Sequence, residues 1–196
     1  SSSKIKNKIL EIATLPENRI SRLKRLMLSK KIVRILESHN SLTGLIIENL
    51  KILNKNSSVE FDGMWSSSLT DSATKGKPDN SSLDFSARIS SLNDMMDVTT
   101  KPLVFDADNG GQLEHLPFLI RSLERSGVSA IIMEDKIGLK KNSLFKNQSD
   151  TQQDKPQTFA KKIKKICSAR RSNDFLVIAR IESFIVGKGL KDALNR

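Results

Sequence analysis

Cysteine, aromatic residues and long apolar runs are all scarce in this sequence of 196 residues. The single cysteine, Cys167, excludes an internal disulfide framework. No apolar run approaches the length of a membrane span, and the N-terminus lacks the apolar core of a signal peptide. We therefore expect a soluble, cytoplasmic chain without a membrane partner, long enough for one domain with a sizeable core.

Positive charge dominates the chain, with a formal net charge of +11, but it is concentrated in two segments. Residues 1–34 carry ten Lys or Arg against two acids, residues 140–171 carry the same numbers, and residues 35–139 have a net charge of −6. The sequence has one Trp, no Tyr and no base-stacking motif, so it predicts no specific nucleic-acid partner. Non-specific attraction to polyanions stays open as an alternative.

Short apolar runs alternate with helical patterns along most of the chain. The predicted strands are 32–36, 59–65, 101–106, 128–134 and 175–179. The predicted helices are 20–28, 41–53, 113–126 and 187–196, with one more around 85–96 and another from residue 156. Polar loops are predicted at 54–58 and 66–80. This order indicates an α/β fold with a parallel sheet, preceded by a basic N-terminal arm, residues 1–19.

Carboxylates follow two of the predicted strands at the point where each strand ends. Asp106 and Asp108 follow the third strand, and Glu134 and Asp135 follow the fourth. Residues i and i+2 of an extended strand end point the same way, so Asp106 and Asp108 can face one ion. Taken alone, the segment after the fourth strand is also compatible with a solvated loop, and the one after the third strand is also compatible with a common turn. Two acidic strand ends in one α/β chain favour a site for Mg²⁺, with Mn²⁺ as the alternative ion.

Six short stretches of the chain match those of a known enzyme family in residue type and spacing. They are residues 37–40, 63–68, 79–80, 106–108, 134–143 and 179–182. From about Leu23 onward, the chain resembles the phosphoenolpyruvate mutase branch of the isocitrate lyase superfamily. The resemblance implies a (β/α)8 barrel of the TIM type, of which residues 20–196 hold only the first five or so β/α units. It implies that the C-terminal strands are missing, and that a full-length protein is a homo-oligomer, either a dimer or a tetramer.

The same resemblance implies an isomerase that interconverts phosphoenolpyruvate and 3-phosphonopyruvate with Mg²⁺, as the first step of phosphonate biosynthesis. Such a transfer needs a cation for the enolate, fixed donors for the phosphoryl group, and a pocket that excludes water. Asp106 matches the direct metal ligand, and Asp108 and Glu134 match carboxylates that reach the ion mainly through waters. Trp65 and Ser67 match groups that hold the carboxylate and phosphoryl ends of the small-molecule substrate.

Further site residues follow from the same matches. Asp79 matches a carboxylate beside the migrating group, and Arg180 matches a cation that binds that group. Lys140, Asn142 and Ser143 match a loop that closes over the site and expels solvent. The matching supporting residues are His39, Asp135, Lys136 and Glu182. For several of these positions an ordinary structural role, as a core side chain, a turn or an ion pair, stays open.

The residue at position 142 favours the mutase over its relatives. Isocitrate and methylisocitrate lyases carry Lys-Cys-Gly-His on the same loop, where the cysteine is the acid–base residue, whereas this chain has Asn142 at the cysteine position. An amide cannot donate a proton as a thiol can, so a carbon–carbon lyase is disfavoured. Phosphonopyruvate hydrolase, which typically has Thr there, stays open as an alternative, as does an inactive truncated binding protein. Asn109 and the glycine pair after it depart from the family pattern but leave the metal ligands intact.

Overall fold

Five parallel strands form the central sheet of the protein, and most of the helices pack beside it. The computed structural model describes residues 2–55, 57–138, 140–141 and 152–196. The helices are α1 (Ser2–Thr14), α2 (Pro16–Ser29), α3 (Ser41–Asn49), α4 (Ser68–Thr74), α5 (Phe85–Val98), α6 (Leu116–Arg125), α7 (Pro156–Ala169) and α8 (Gly189–Asn195). The strands are β1 (Ile35–Glu37), β2 (Lys51–Asn54), β3 (Ser57–Glu60), β4 (Gly63–Ser66), β5 (Leu103–Asp106), β6 (Ala130–Glu134), β7 (Lys136–Ile137), β8 (Gln152–Gln153) and β9 (Leu176–Arg180). Among the described residues, no helix combines the length and the apolar character needed to cross a membrane.

The central sheet has the order β1–β4–β5–β6–β9, and each neighbouring pair is parallel. The parallel α/β sheet expected from the sequence is therefore confirmed. Parallel strands bring their carboxyl ends to one edge of the sheet, which is where α/β proteins place their sites. The register sets Glu37 opposite Trp65 and Glu134 opposite Arg180, so residues far apart in the chain meet at this edge.

The hydrophobic core lies between the central strands and their flanking helices. All four residues of β5 are buried, as are four of the five in β6, which is typical of parallel strands covered on both faces. The helical stripe expected in α5 is confirmed, because Leu92 and Met96 are buried and Phe85 and Ile89 pack against the same cluster. The buried face of α6 consists of Leu116, Leu119, Ile120 and Leu123. Each fully buried side chain of this kind stabilises the fold by about 1.5–3 kcal/mol.

The segment after α3 is a β-hairpin, which corrects the helix expected over 41–53. Helix α3 ends at Asn49, and β2 pairs with β3 in an antiparallel ladder. The helix packs through its small residue Gly44 and through Ile47, because a side chain at Gly44 would come within 3.2 Å of Thr99. The residues expected to face inward in this segment are exposed: Leu42, Leu45, Ile46 and Leu53.

Several other boundaries differ from the sequence expectation, and three of these differences lie between α2 and α5. The first sheet strand runs over Ile35–Glu37 rather than 32–36. The expected second strand, 59–65, divides between the hairpin strand Ser57–Glu60 and the sheet strand Gly63–Ser66. The expected polar loop 66–80 contains the helix Ser68–Thr74. Each difference places a short element where the apolar pattern is too brief to distinguish a strand from a turn.

The expected N-terminal arm is helical, and its last residue is part of the packed body. Helix α1 is exposed along nearly all of its length. Arg19, in contrast, is buried, and its guanidinium donates to the backbone carbonyls of Met96 and Thr99 at the end of α5. The arm of residues 1–19 stays a prediction as a separate unit, but side-chain packing begins before residue 20.

Candidate active site

A cavity of about 240 Å³ opens at the carboxyl ends of the sheet strands. Its walls come from the ends of β1, β4, β5, β6 and β9 and from the segments that follow them. The lining residues are Glu37, Trp65, Ser67, Ser68, Leu69, Asp79, Asp106, Asp108, Glu134, Lys140 and Arg180. Eight of these residues were expected at the site from the sequence. The topology therefore gathers in one cavity side chains that lie up to 143 positions apart in the chain.

Three carboxylates expected to hold a metal reach this cavity, and the backbone ties them together. Asp106 is the last residue of β5, and Glu134 is the last residue of β6. The backbone N–H of Asp108 donates to the Asp106 carboxylate at 3.0 Å, and the N–H of Glu134 donates to the Asp108 carbonyl at 2.8 Å. Asp108 has a positive φ of 50°, a conformation that Asp tolerates better than most residues. This turn directs the second aspartate back toward the first.

Arg180 lies between the carboxylates at the end of β9. Its guanidinium is 3.2 Å from a carboxylate oxygen of Glu134 and 3.9 Å from one of Asp106. Its Nε donates to Glu182 at 2.6 Å. Lys136 lies 3.3 Å from Glu182 and 3.7 Å from Glu134, so the two cations share the same pair of glutamates. This buried network fixes the direction of the Arg180 side chain toward the cavity.

Lys140 connects the opposite wall of the cavity to the carboxylates. Its ammonium group lies 2.7 Å from Asp108 and also pairs with Asp79 and donates to the hydroxyl of Ser68. Burial lowers the pKa of Lys140, but the Asp108 and Asp79 carboxylates outweigh this effect and hold the pKa above its ordinary value. Lys140 therefore stays charged and brings Asp79 to the cavity from the segment between α4 and α5.

Burial raises the pKa values of the carboxylates on the cavity floor. For Glu134 it raises the pKa to about 7, since the opposing effects of Lys136 and Arg180 are smaller than the cost of removing the charge from water. For Asp106, burial and the neighbouring charge of Asp108 both raise the pKa. The carboxylates therefore lack sufficient positive charge nearby, and a bound divalent cation would supply it.

The donor set fits a hard divalent ion. Asp106, Asp108 and Glu134 offer only oxygen ligands, which Mg²⁺ and Mn²⁺ prefer. Within residues 2–55, 57–138, 140–141 and 152–196, however, no three His, Cys, Asp or Glu side chains are close enough to form a ligand group by themselves. The family resemblance implies a single direct carboxylate with water-mediated neighbours, which stays a prediction that is compatible with this arrangement.

A serine that the sequence analysis did not select contacts the charged groups directly. Ser68 donates to Asp108 at 2.8 Å and lies 3.5 Å from Asp106. The expected serine, Ser67, lines the cavity at the start of α4 but makes no side-chain capping hydrogen bond. Trp65 also lines the cavity, and its buried Nε1 has no hydrogen-bond partner within the described part of the chain. Glu37, held at 2.8 Å by the Thr70 hydroxyl, is a further lining residue without an expected role.

The remaining expected residues lie around the cavity or outside the described residues. Asp135 is buried and accepts hydrogen bonds from the Glu182 N–H and from Arg196, away from the cavity. His39 is half-buried and does not line the cavity. Lys136 and Glu182 do not line the cavity, but Lys136 forms an ion pair with Glu134 and Glu182 forms one with Arg180. Asn142 and Ser143 lie outside the described residues.

Comparisons with known proteins give one family match and several similar sequences and structures. The model of the family described as phosphoenolpyruvate phosphomutase matches residues 23–196. Phosphoenolpyruvate phosphomutase of Tetrahymena pyriformis is 34% identical over 178 residues, which is 90% of this chain and 56% of the relative. A crystal structure of phosphoenolpyruvate phosphomutase from Streptomyces platensis subsp. rosaceus matches with a TM-score of 0.80 and 32% identity, over 90% of this chain and 58% of that one.

A structure of a related enzyme, a phosphonopyruvate hydrolase, also matches this chain. The structure of a phosphonopyruvate hydrolase in complex with oxalate and Mg²⁺ matches with a TM-score of 0.73 and 26% identity, over 90% of this chain and 57% of that one. The chain thus spans a little over half the length of these relatives. The five parallel strands correspond to part of the TIM-type fold of the superfamily, as the sequence led us to expect. The family match over most of the chain shows that this protein belongs to the phosphoenolpyruvate phosphomutase family.

Proposed function

We propose that this chain carries the catalytic site of a Mg²⁺-dependent isomerase that interconverts phosphoenolpyruvate and 3-phosphonopyruvate. The observation that supports this most is the pairing of three carboxylates with two cations across one cavity. Asp106, Asp108 and Glu134 supply oxygen ligands, while Arg180 and Lys140 supply donors for a phosphoryl group. A substrate with both an enolate and a phosphoryl group needs both kinds of partner.

The reaction moves a phosphoryl group within one molecule. The bond from phosphorus to the enolate oxygen breaks, and a bond from phosphorus to the methylene carbon of the same pyruvate unit forms. No water, oxidant or proton enters, so the site has to hold two fragments in place rather than supply a reagent. Arg180, fixed by Glu182 at 2.6 Å and Glu134 at 3.2 Å, would neutralise the charge on the migrating group.

The metal would be held on the carboxylate side of the cavity. Asp106 would bind Mg²⁺ directly, and Asp108 and Glu134 would hold its water ligands. When bound, Mg²⁺ supplies a positive charge that stabilises the enolate oxygen and the substrate carboxylate. Trp65 and Ser67 would orient that carboxylate from the opposite wall, and the apolar ring of Trp65 would exclude water from this side.

Phosphorus NMR with phosphonopyruvate and Mg²⁺ tests this proposal. We expect the phosphonate signal to be replaced by that of phosphoenolpyruvate. The appearance of inorganic phosphate would instead identify the hydrolase, because water would then have captured the phosphoryl group. An unchanged spectrum, together with no binding of oxalate and Mg²⁺ in calorimetry, would favour the non-catalytic binding protein and overturn the proposal.

A further inference from the structure

Arg88 is a buried cation behind the cavity that joins two neighbouring strand ends. It lies on α5 and is 2% exposed. One terminal nitrogen donates to the backbone carbonyl of Asp106 at 2.6 Å, and the other donates to the carbonyl of Ser66 at 3.2 Å. Ser66 and Asp106 are the last residues of β4 and β5, where the ladder between these strands stops. The guanidinium therefore ties the ends of the two strands together.

The other contacts of Arg88 hold its guanidinium in a single orientation. Its Nε donates to the carboxylate of Asp71 at 2.8 Å, and the Ser66 hydroxyl donates to the same oxygen at 2.7 Å. The guanidinium also lies over the ring of Phe105, 4.2 Å from its centroid. Asp71 is buried as well, so the pair is enclosed between α4, α5 and the sheet. A planar fork with several donors can meet all these partners at once, whereas the single nitrogen of lysine cannot.

The two strand ends joined by Arg88 carry opposite walls of the cavity. Asp106 ends β5 and Asp108 follows it. Trp65 lies in β4, and Ser67 and Ser68 follow that strand. A change in the spacing of the two ends would alter the separation of the carboxylates from the substrate-orienting wall. Arg88 itself does not line the cavity and touches none of the reacting groups.

We propose that Arg88, balanced by Asp71, is a positioning residue that sets the geometry of the Asp106 metal site relative to the β4 wall. This inference rests on the proposed function. Residues that orient metal-binding carboxylates typically change metal affinity or activity by about 10–100-fold when replaced. We expect Arg88→Lys to weaken Mg²⁺ binding in the presence of oxalate by at least about 10-fold, since lysine keeps the charge but loses the fork.

Arg19, on α2, provides a matched control, because it contacts the opposite end of α5. It is also almost fully buried, and it also donates to backbone carbonyls, those of Met96 and Thr99, but it does not contact the cavity. Arg19→Lys should therefore lower the free energy of unfolding much as Arg88→Lys does, without changing Mg²⁺ affinity by more than about twofold. The comparison separates positioning of the site from general loss of packing.

Trp65 gives a direct readout of binding. It is the single tryptophan in a chain without tyrosine, and it lines the cavity, so its fluorescence reports on this site. Mg²⁺ would be titrated with oxalate present into the wild-type chain and both arginine variants, and the free energy of unfolding would be measured by urea denaturation. Weaker Mg²⁺ binding in Arg88→Lys alone supports the inference, whereas equal Mg²⁺ affinity in all three proteins would overturn it.

A second substitution covers the case in which Arg88→Lys does not fold. Asp71→Asn keeps the size of the side chain and removes the charge that balances Arg88. We expect it to weaken Mg²⁺ binding by several-fold, because the guanidinium then loses its strongest anchor. Unchanged affinity in this variant would also refute the positioning role. If the wild-type chain itself shows no Mg²⁺ binding and no isomerisation, the proposed function has failed, which is a distinct result.

Discussion

We expect the raised pKa of Glu134 to make Mg²⁺ binding at the proposed site pH-dependent near neutrality. Burial raises this pKa to about 7, so about half of the metal-free molecules carry a protonated Glu134 at that pH. The metal needs the ionised carboxylate, and its binding must release this proton. Proton competition weakens the apparent affinity by a factor of 1 plus the ratio of protonated to ionised carboxyl. Between about pH 8 and pH 6 this factor rises from about 1.1 to about 11, a tenfold loss of affinity.

Calorimetric titration of Mg²⁺ with oxalate at several pH values measures this effect. Glu134→Gln is the matched control, because it keeps the shape of the side chain and cannot titrate near neutrality. We expect the variant to bind Mg²⁺ more weakly at every pH. Its affinity should also change little between about pH 6 and pH 8, and any remaining change would arise from Asp106, whose pKa is also raised. Equal slopes in the two proteins would refute the assignment of the pH dependence to Glu134.

The same protonation affects the stability of the metal-free protein. The ordinary pKa of a glutamate is 4.5, whereas that of Glu134 is raised to about 7 in the fold. The native state therefore holds a proton that the unfolded chain has lost between these values. Its contribution to stability is fully present below about pH 4.5 and is lost as the pH rises through about 7. Saturating Mg²⁺ should reverse this loss in urea denaturation experiments.

Three further substitutions test other parts of the account. Lys140→Met should slow isomerisation by at least about 100-fold, because it removes a charged donor to the cavity, while the exposed Lys165→Met should leave the rate unchanged. Ser68→Ala should weaken Mg²⁺ binding by about 10-fold in calorimetry, since it removes a hydrogen bond to the charged Asp108 carboxylate of about 1.5 kcal/mol. Gly110→Ala should lower the free energy of unfolding by more than Gly111→Ala does; both have positive φ, but only a Cβ at Gly110 would collide with Met133 and Leu116. Equal losses in urea denaturation would contradict that packing argument.

The sequence was most informative where burial and periodicity agree. β5 and β6 are apolar runs that end in acidic residues, and their ends at Asp106 and Glu134 are where the pattern placed them. These strands lie in the middle of the sheet and are covered on both faces, so nearly all of their residues have to be apolar. The stripe in α5 was predictable for the same reason. Once the strands are parallel, the meeting of their carboxyl ends follows from the topology.

Elements at the edge of the sheet were predicted less well. Leu53 was expected on the inward face of the helix predicted over 41–53, yet it lies in the hairpin and is 80% exposed. Its neighbour Ile52 is 62% exposed. Periodicity arguments assume that apolar residues are buried, and this assumption fails in the hairpin, which is a separate two-stranded sheet. The hairpin has only four residues in each strand, too few for alternation to be distinguished from a helical face.

The residues that support the site could not be identified from local patterns. Three consecutive serines follow Trp65, and only the turn into α4 determines that Ser68 contacts Asp108. Arg88 is one polar residue in an amphipathic helix, where a solvated position is the ordinary expectation. Its burial depends on Asp71 and on two strand ends that lie far from it in sequence. Such contacts depend on tertiary structure.

The affinity of Mg²⁺ for Asp106→Asn, with oxalate present, tests the central claim most directly. Asparagine keeps the shape of the side chain but removes its charge. Asp174→Asn serves as the control, because Asp174 is half-buried and does not line the cavity. We expect the calorimetric signal for Mg²⁺ to be lost in Asp106→Asn and retained in the control, together with loss of isomerisation in phosphorus NMR. Wild-type affinity in Asp106→Asn would show that the carboxylates at these strand ends do not form the metal site.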